Sequence, residues 1–409
     1  MIKKIPIDQL VIGMYIHDLN CGWMDHPFAR NRFMVDDAAT LSKILKTSVV
    51  EVYIDTDLGA DVGVAESSTE NVEEIEEIKE IEAPLVETSA FIPSIISKLS
   101  PAEEFIRAKE LYSNASKLIH EMMKDVRLGK QIALEQCEPM IDNIVDSMFR
   151  FPSALLPLAQ LKTRDEYTYQ HSVSVSALAV AFGRVLELPL DEIKDLALGG
   201  LLHDMGKALV PGRILNKPGK LDDAEFEIMK SHVIHTAKLL NDVKGVSEIT
   251  FNAAAEHHER YDGTGYPHGL EGDNISLHGQ MIGIVDFYDA ITSLRVYHKG
   301  IPPTEALRKL FEYNDTHFNH KLVQAFIKGI GIYPAGSLVR MESGKLGIVR
   351  EVVPDKLLQP VVQLIYDCKK LCHILPEMVD LSASNDKIKS NESFEYWGID
   401  QAKWATTRI

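Results

Sequence analysis

A histidine and an aspartate stand side by side at the end of an apolar run, Leu201-Leu202-His203-Asp204-Met205-Gly206-Lys207. A carboxylate enclosed without compensation is costly, so a buried His-Asp pair requires partners, and metal ions supply them. One imidazole nitrogen and one bridging carboxylate suit two metal ions about 3.5 to 4 Å apart. Lys207, three positions beyond Asp204, can face the same point. His171 lies upstream, and His232, His257, His258 and Asp286 lie downstream. Seven candidate ligands therefore reach one centre from several helical patterns, as in a metal hydrolase.

The helices are read from spacing. From Tyr167 to Leu188, the residues Val173, Val175, Leu178, Ala181, Phe182 and Val185 make a buried face that includes His171. Asp191 and Glu192 complement the dipole at the start of the next helix, which runs to His203 and which Gly206 ends. Asp222 and Glu225 have capping-box spacing. The helix they open turns Phe226, Met229, Val233, Ala237 and Leu240 inward, with His232 beside that face and His235 exposed. A helix ending in His257-His258 runs into Glu259-Arg260-Tyr261-Asp262-Gly263-Thr264-Gly265-Tyr266-Pro267, a glycine-rich turn whose backbone can approach a phosphate. Ser276 to Ser293 carries Asp286 and Asp289. Arg295, His298 and Lys299 follow, either to hold substrate phosphates or to complement a helix C-terminus.

The chain divides by pattern into five parts. Residues 1–62 alternate short apolar runs with turns around one helix and read as a small β-rich accessory domain. Residues 63–100 form an acidic linker, with nine Glu against Lys79 between Glu66 and Glu87. Residues 101–150 give connecting amphipathic helices, opened by Pro101 in a first turn. Residues 151–330 are the helical catalytic bundle. Residues 331–409 change to period two between Tyr333 and Tyr366 and form a β-appendage and tail. The fold class is mainly α: an HD-type helical bundle with a small β-rich N-terminal domain and a small C-terminal β-appendage.

With 409 residues and a formal charge of -17, a general coat for DNA, RNA or anionic membrane is excluded, because phosphate would repel the surface. A small anionic ligand still suits a local basic cluster. No stretch approaches the roughly 20 apolar residues that span a bilayer, and the first residues lack the core of a signal peptide, so a cytoplasmic protein is expected. Cys21, Cys137, Cys368 and Cys372 are too scattered for a disulfide scaffold.

The two signatures, His203-Asp204-Met205-Gly206-Lys207 and His257-His258-Glu259 with Asp262-Gly263-Thr264-Gly265-Tyr266-Pro267, resemble those of the HD-GYP family of bacterial cyclic-dinucleotide phosphodiesterases. The resemblance covers roughly 150–330. The front domain, with Gly13-Met14-Tyr15, Trp23 and His26-Pro27-Phe28, is similar to a module that often precedes it, and the β-appendage to the family's usual extension.

The resemblance implies two divalent metal ions, Fe or Mn, with Asp204 bridging. His171, His203 and Asp286 would complete one ion's ligands, and His232, His257 and His258 the other's. Where some members hold a third ion through a Glu, this chain has Tyr167, with Glu166 one residue earlier. A hydroxide bridging the ions would attack phosphorus while the metals and Lys207 offset charge on the phosphoryl oxygens. Gly265, Tyr266, Arg295 and Lys299 would bind substrate, and His298 stands where the family has a Lys. Cyclic di-GMP and 3'3'-cGAMP both fit as substrates, giving a linear dinucleotide. A homodimer, or a protein partner at the Gly265-Tyr266-Pro267 loop, is compatible with the pattern. The alternative reading is a non-hydrolytic receptor for a cyclic dinucleotide or for such a partner.

Overall fold

The computed structural model describes residues 2–19, 32–35, 37–45, 49, 51–56, 58–59, 101–159, 166–293, 300–314, 316–353, 356–401 and 404. Readings that fell on Cys21, Trp23, His26-Pro27-Phe28, the acidic linker, Arg295, His298 and Lys299 lie outside these residues. The chain divides into two compact units, one drawn from residues up to Lys98 and one from Leu99 onward.

In the first unit, β1 (Ile2–Pro6), β2 (Tyr15–Asp18), β3 (Phe33–Met34) and β4 (Glu51–Asp55) form an antiparallel sheet in the order β1-β4-β2-β3, with α1 (Ala38–Leu45) between β3 and β4 in sequence. Alternation does what it should in β4, where Val52 and Ile54 are buried and their neighbours are half-exposed. Ile5, Met14, Ile16 and Ile44 join them.

The second unit is helical to Ile330: α2 (Pro101–Arg127), α3 (Leu134–Arg150), α4 (Pro152–Ala159), α5 (Tyr167–Val185), α6 (Leu190–Leu202), α7 (Gly212–Leu215), α8 (Asp223–Asn241), α9 (Glu248–Ala255), α10 (Leu277–Thr292), α11 (Pro303–Glu312) and α12 (His320–Ile330). Helix α5 is the axis. Every residue from Gln170 to Gly183 is buried, as expected of a helix apolar on all sides. It packs against α2, α4, α6, α10 and α12. Phe182 meets Phe326 of α12 with ring centres 5.2 Å apart, each buried ring being worth about 1.5–3 kcal/mol. Tyr112 of α2 donates to the Gln170 carbonyl at 2.9 Å, holding α5 at the turn that carries His171.

Local signals explain the helix ends that matter. Asp222 accepts from Glu225 N, and Glu225 accepts from Asp222 N, a complete capping box at the start of α8. Ser247 and Ser276 cap α9 and α10. In α8, Val233 and Leu240 are buried, whereas Phe226, Met229 and Ala237 are only half-buried, as is His235. One boundary differs from its reading. Gly206 does not end α6, which stops at Leu202; the glycine lies inside a 3-10 turn, Met205–Leu209. The reason is a close approach to α8: a Cβ at Gly206 would stand 2.0 Å from the His232 carbonyl oxygen and 2.6 Å from Thr236 N. Thr236 closes the joint, its hydroxyl accepting from Gly206 N and donating to His203 O, both at 2.9 Å.

The appendage extends further than period two indicated. Strands β5 (Leu338–Met341), β6 (Lys345–Glu351), β7 (Val361–Asp367), β8 (Cys372–Asp380) and β9 (Ile388–Glu392) form an antiparallel sheet ordered β8-β7-β6-β5-β9. Trp404 packs with Leu338, Leu346, Ile348, Ile365 and Ile399, and Arg350 donates to its carbonyl at 2.8 Å. Cys137, Cys368 and Cys372 are free thiols. Among the described residues, no helix is long and apolar enough to cross a membrane.

Candidate metal centre

Four helix ends or faces meet where α5, α6, α8 and α10 converge with the segment after α9. His171 projects from α5, His203 and Asp204 follow α6, His232 comes from α8, His257 and His258 follow α9, and Asp286 comes from α10. All are buried except the half-buried His258. The candidate ligand atoms of His171, His203 and Asp286 lie within 4.8 Å of one another, as do those of His232, His257 and His258, and those of His203, Asp204 and His257. Asp204 stands between the outer groups, with Oδ2 3.3 Å from His203 Nε2 and Oδ1 3.4 Å from His232 Nε2.

Three of the imidazoles are aimed by one device. His203, His232 and His257 meet the main-chain carbonyls of Gly200, Met229 and Ala254, each three residues earlier, at 2.7, 2.6 and 2.7 Å. A carbonyl only accepts, so each Nδ1 carries a proton, and Nε2 is the nitrogen left to face a metal ion. His171 uses a carboxylate instead: Nδ1 donates to Asp289 Oδ2 at 2.5 Å. Its Nε2 then faces Asp286 Oδ1 at 2.8 Å, lone pair against lone pair unless a proton or a metal ion stands between them.

The electrostatics fit a cation as well. Burial pushes His257 down to about 3 and His232 to about 4, and holds His258 well below the usual imidazole range, so these rings are neutral donors. Asp204 and Asp286 stay ionised: burial alone would raise them, but His203 and Lys207 around Asp204, and His171 at Asp286, hold both well below the usual carboxylate range. At His203 burial is outweighed by Asp204 and Asp286, so its pKa rises; the field there favours positive charge. The buried Nε2 atoms of His203, His232 and His257 and Oδ1 of Asp204 have no hydrogen-bond partner. Neutral imidazoles, ionised carboxylates and buried atoms without donors together fit divalent metal ions.

Lys207 reaches back to Asp204 Oδ2 at 2.5 Å and is half-buried. The glycine-rich loop after His258 is fastened to the chain itself. Glu259 accepts from His268 N at 2.7 Å and Leu270 N at 3.0 Å, while Tyr261 N and Asp262 N donate to the carbonyls of His317 and Thr316. Gly265 is required by this folding back, since a Cβ there would lie 2.2 Å from Arg260 N. Tyr266 N donates to His258 O at 3.1 Å, which sets the Tyr266 ring 4.7 Å from the His258 ring, centre to centre. Tyr167 stacks on His171 at 5.6 Å, and Glu166 accepts from Gln170 at 3.0 Å.

Asp289 was noted on its helix but not placed at the site. Its signal is the spacing from Asp286, one turn along α10. An acceptor on the far nitrogen of a ligating histidine fixes its orientation and raises its basicity. Asp289→Asn is therefore expected to weaken metal affinity about 10- to 100-fold while the fold persists, a change that competition against a chelator measures.

A helical bundle that gathers imidazoles and carboxylates around such a centre defines a metal-binding HD-domain hydrolase. Residues 156–322 match the HD domain family, and residues 2–137 match a domain of unknown function, DUF3391. The chain is 41% identical over 402 residues to a cyclic di-GMP phosphodiesterase of Pseudomonas aeruginosa, covering 98% of this chain and 94% of that one. It is 36% identical over 154 residues to the 3'3'-cGAMP-specific phosphodiesterase 1 of Vibrio cholerae, 38% of this chain and 36% of that one. A solved HD-GYP-type protein from Bdellovibrio bacteriovorus, 18% identical, aligns over 80% of this chain and 98% of its own with a TM-score of 0.48. The chain belongs to the HD-GYP family of HD-domain phosphodiesterases.

Proposed function

We propose that this protein hydrolyses a cyclic dinucleotide, cyclic di-GMP or 3'3'-cGAMP, to the linear dinucleotide at a centre of two divalent ions, Fe or Mn. The observation that carries the reading is the convergence of seven side chains into mutually close groups, in which the buried Nε2 atoms of His203, His232 and His257 and Oδ1 of Asp204 lack donors. The names of the relatives from Pseudomonas and Vibrio support the substrate class. In this reading His171, His203 and Asp286 would hold one ion, His232, His257 and His258 the other, and Asp204 would serve both. Ions so held supply Lewis acidity, acidifying water and withdrawing charge from phosphoryl oxygens.

The chain's own groups do the rest. Lys207 brings an ammonium against Asp204 and offers it to a phosphoryl oxygen as charge grows there. Asp289 keeps the His171 proton on Nδ1. Tyr266 and Gly265 form the substrate side of the loop beside His258, and Arg295 and Lys299, beyond α10 in sequence, supply further cations for phosphate. The water oxygen joins phosphorus as its bond to the ribose 3'-oxygen breaks. Residues 1–62, 63–100, 101–150, 151–330 and 331–409 serve in this reading as accessory domain, linker, connecting helices, catalytic domain and appendage.

Metal removal is the direct test. Chelator-treated protein is expected to lose turnover of cyclic di-GMP and 3'3'-cGAMP, read by chromatography of the products, and to regain it with Mn or Fe. Binding without hydrolysis under every metal would instead identify a receptor.

A further inference from the structure

Beside the metal centre α8 carries a second group of side chains. Phe226 and Lys230 are one turn apart on α8, six and two residues before His232. The Lys230 ammonium lies 5.3 Å from the centre of the Phe226 ring and 5.6 Å from the centre of the Tyr266 ring, and 2.6 Å from Glu227 Oε1. The two rings stand edge to face, 6.4 Å apart, and both are half-buried. Only 22% of the Lys230 side chain is exposed, low for a lysine, and ordering it over two rings exceeds what a surface ion pair alone accomplishes. Contacts run from His258 through Tyr266 to Lys230, which places this group beside the candidate metal ligands.

We propose that Lys230, with Glu227, Phe226 and Tyr266, recognises a guanine base of the substrate. This deepens the cyclic-dinucleotide reading and rests on it. Aromatic rings offer a stacking face to any base. The ammonium adds selectivity, because it donates to guanine O6 and N7, whereas adenine presents an amino donor in place of O6. The Glu227 carboxylate can accept from guanine N1–H and its exocyclic amino group, which adenine does not match. Lys230 is thus a specificity-determining residue.

The test measures binding of cyclic di-GMP and cyclic di-AMP by calorimetry in the presence of a chelator, which prevents turnover, together with kcat and KM of the metal-loaded enzyme. Lys230→Met, which keeps the aliphatic stem, is expected to weaken cyclic di-GMP binding roughly ten- to a hundredfold while cyclic di-AMP binding changes little, so the guanine preference collapses. KM for cyclic di-GMP should rise with kcat largely kept, and Lys230→Arg, which retains donors, should preserve the preference. Equal losses for both ligands, no loss for either, or a fall in kcat at constant KM each overturn the proposal. Bis(p-nitrophenyl) phosphate, a diester without a base, separates the two levels. A wild-type chain that cleaves it yet binds no cyclic dinucleotide overturns the substrate reading and this proposal together, whereas a wild type that binds cyclic di-GMP with a Lys230→Met variant unchanged overturns only the proposal.

Discussion

Asp204→Ala is expected to lower phosphodiester turnover by at least about a thousandfold, equivalent to roughly 4 kcal/mol in the barrier. Asp204 Oδ2 lies 3.3 Å from His203 Nε2, and Oδ1 lies 3.4 Å from His232 Nε2, so one truncation removes an anionic donor from both sides of the cluster. Loss of a group that merely orients a ligand already costs about 10- to 100-fold in affinity or activity, and a shared donor costs more. Metal content measured by atomic emission should fall in parallel. Lys207 loses its partner but is half-buried and can turn toward water, so the fold should survive. Asp204→Asn, which keeps the shape and removes the charge, should behave nearly as badly. Turnover that survives in a folded, metal-poor Asp204→Ala protein would end the metal mechanism.

Gly206→Val should be strongly destabilising although Gly206 lies outside the ligand set. A Cβ at Gly206 meets the His232 carbonyl oxygen at 2.0 Å and Thr236 N at 2.6 Å, and backbone atoms of a packed helix cannot rotate away as a side chain can. Separating the 3-10 turn from α8 would also break the pair of hydrogen bonds at Thr236. A loss of about 3 kcal/mol or more is expected, visible as a lower midpoint in denaturant unfolding. Gly212→Ala is the matched control. Its nearest neighbour would be Asn216 Nδ2 at 4.0 Å, so a change within about 1 kcal/mol, of either sign, is expected. Equal unfolding midpoints for the two variants would show that the joint tolerates separation.

Much of the bundle was legible because its signals are local. Histidines within apolar helical spacing, the Asp222 and Glu225 pair, and the acidic residues at 191 and 192 each announce a helix or its start within a few positions. The seven candidate ligands were legible as residue types, since imidazole and carboxylate are rare in apolar runs, and the fold brings them together. What depended on distant chain was hidden. Thr236 is an ordinary threonine until α8 lies against Gly206, and nothing nearby in sequence shows that a turn will pass so close to a helix that a Cβ would stand 2.0 Å from a carbonyl oxygen. For the same reason Gly206 read as a helix end. Strand β8 escaped because it is an edge strand, most of whose residues, Leu375 among them, are exposed, so alternation is lost; β9, Ile388–Glu392, has only one apolar residue. Lys230 drew no reading from the sequence, because only the fold sets the loop bearing Tyr266 beside it.

The carbonyls of Gly200, Met229 and Ala254 have one more consequence. Since three imidazoles are moored to backbone within their own segments, draining the pocket of its ions leaves those rings standing with their Nε2 atoms already turned inward. Reloading then demands little rearrangement, and exchange between different cations becomes a question of supply and of competition for the pocket, not of refolding.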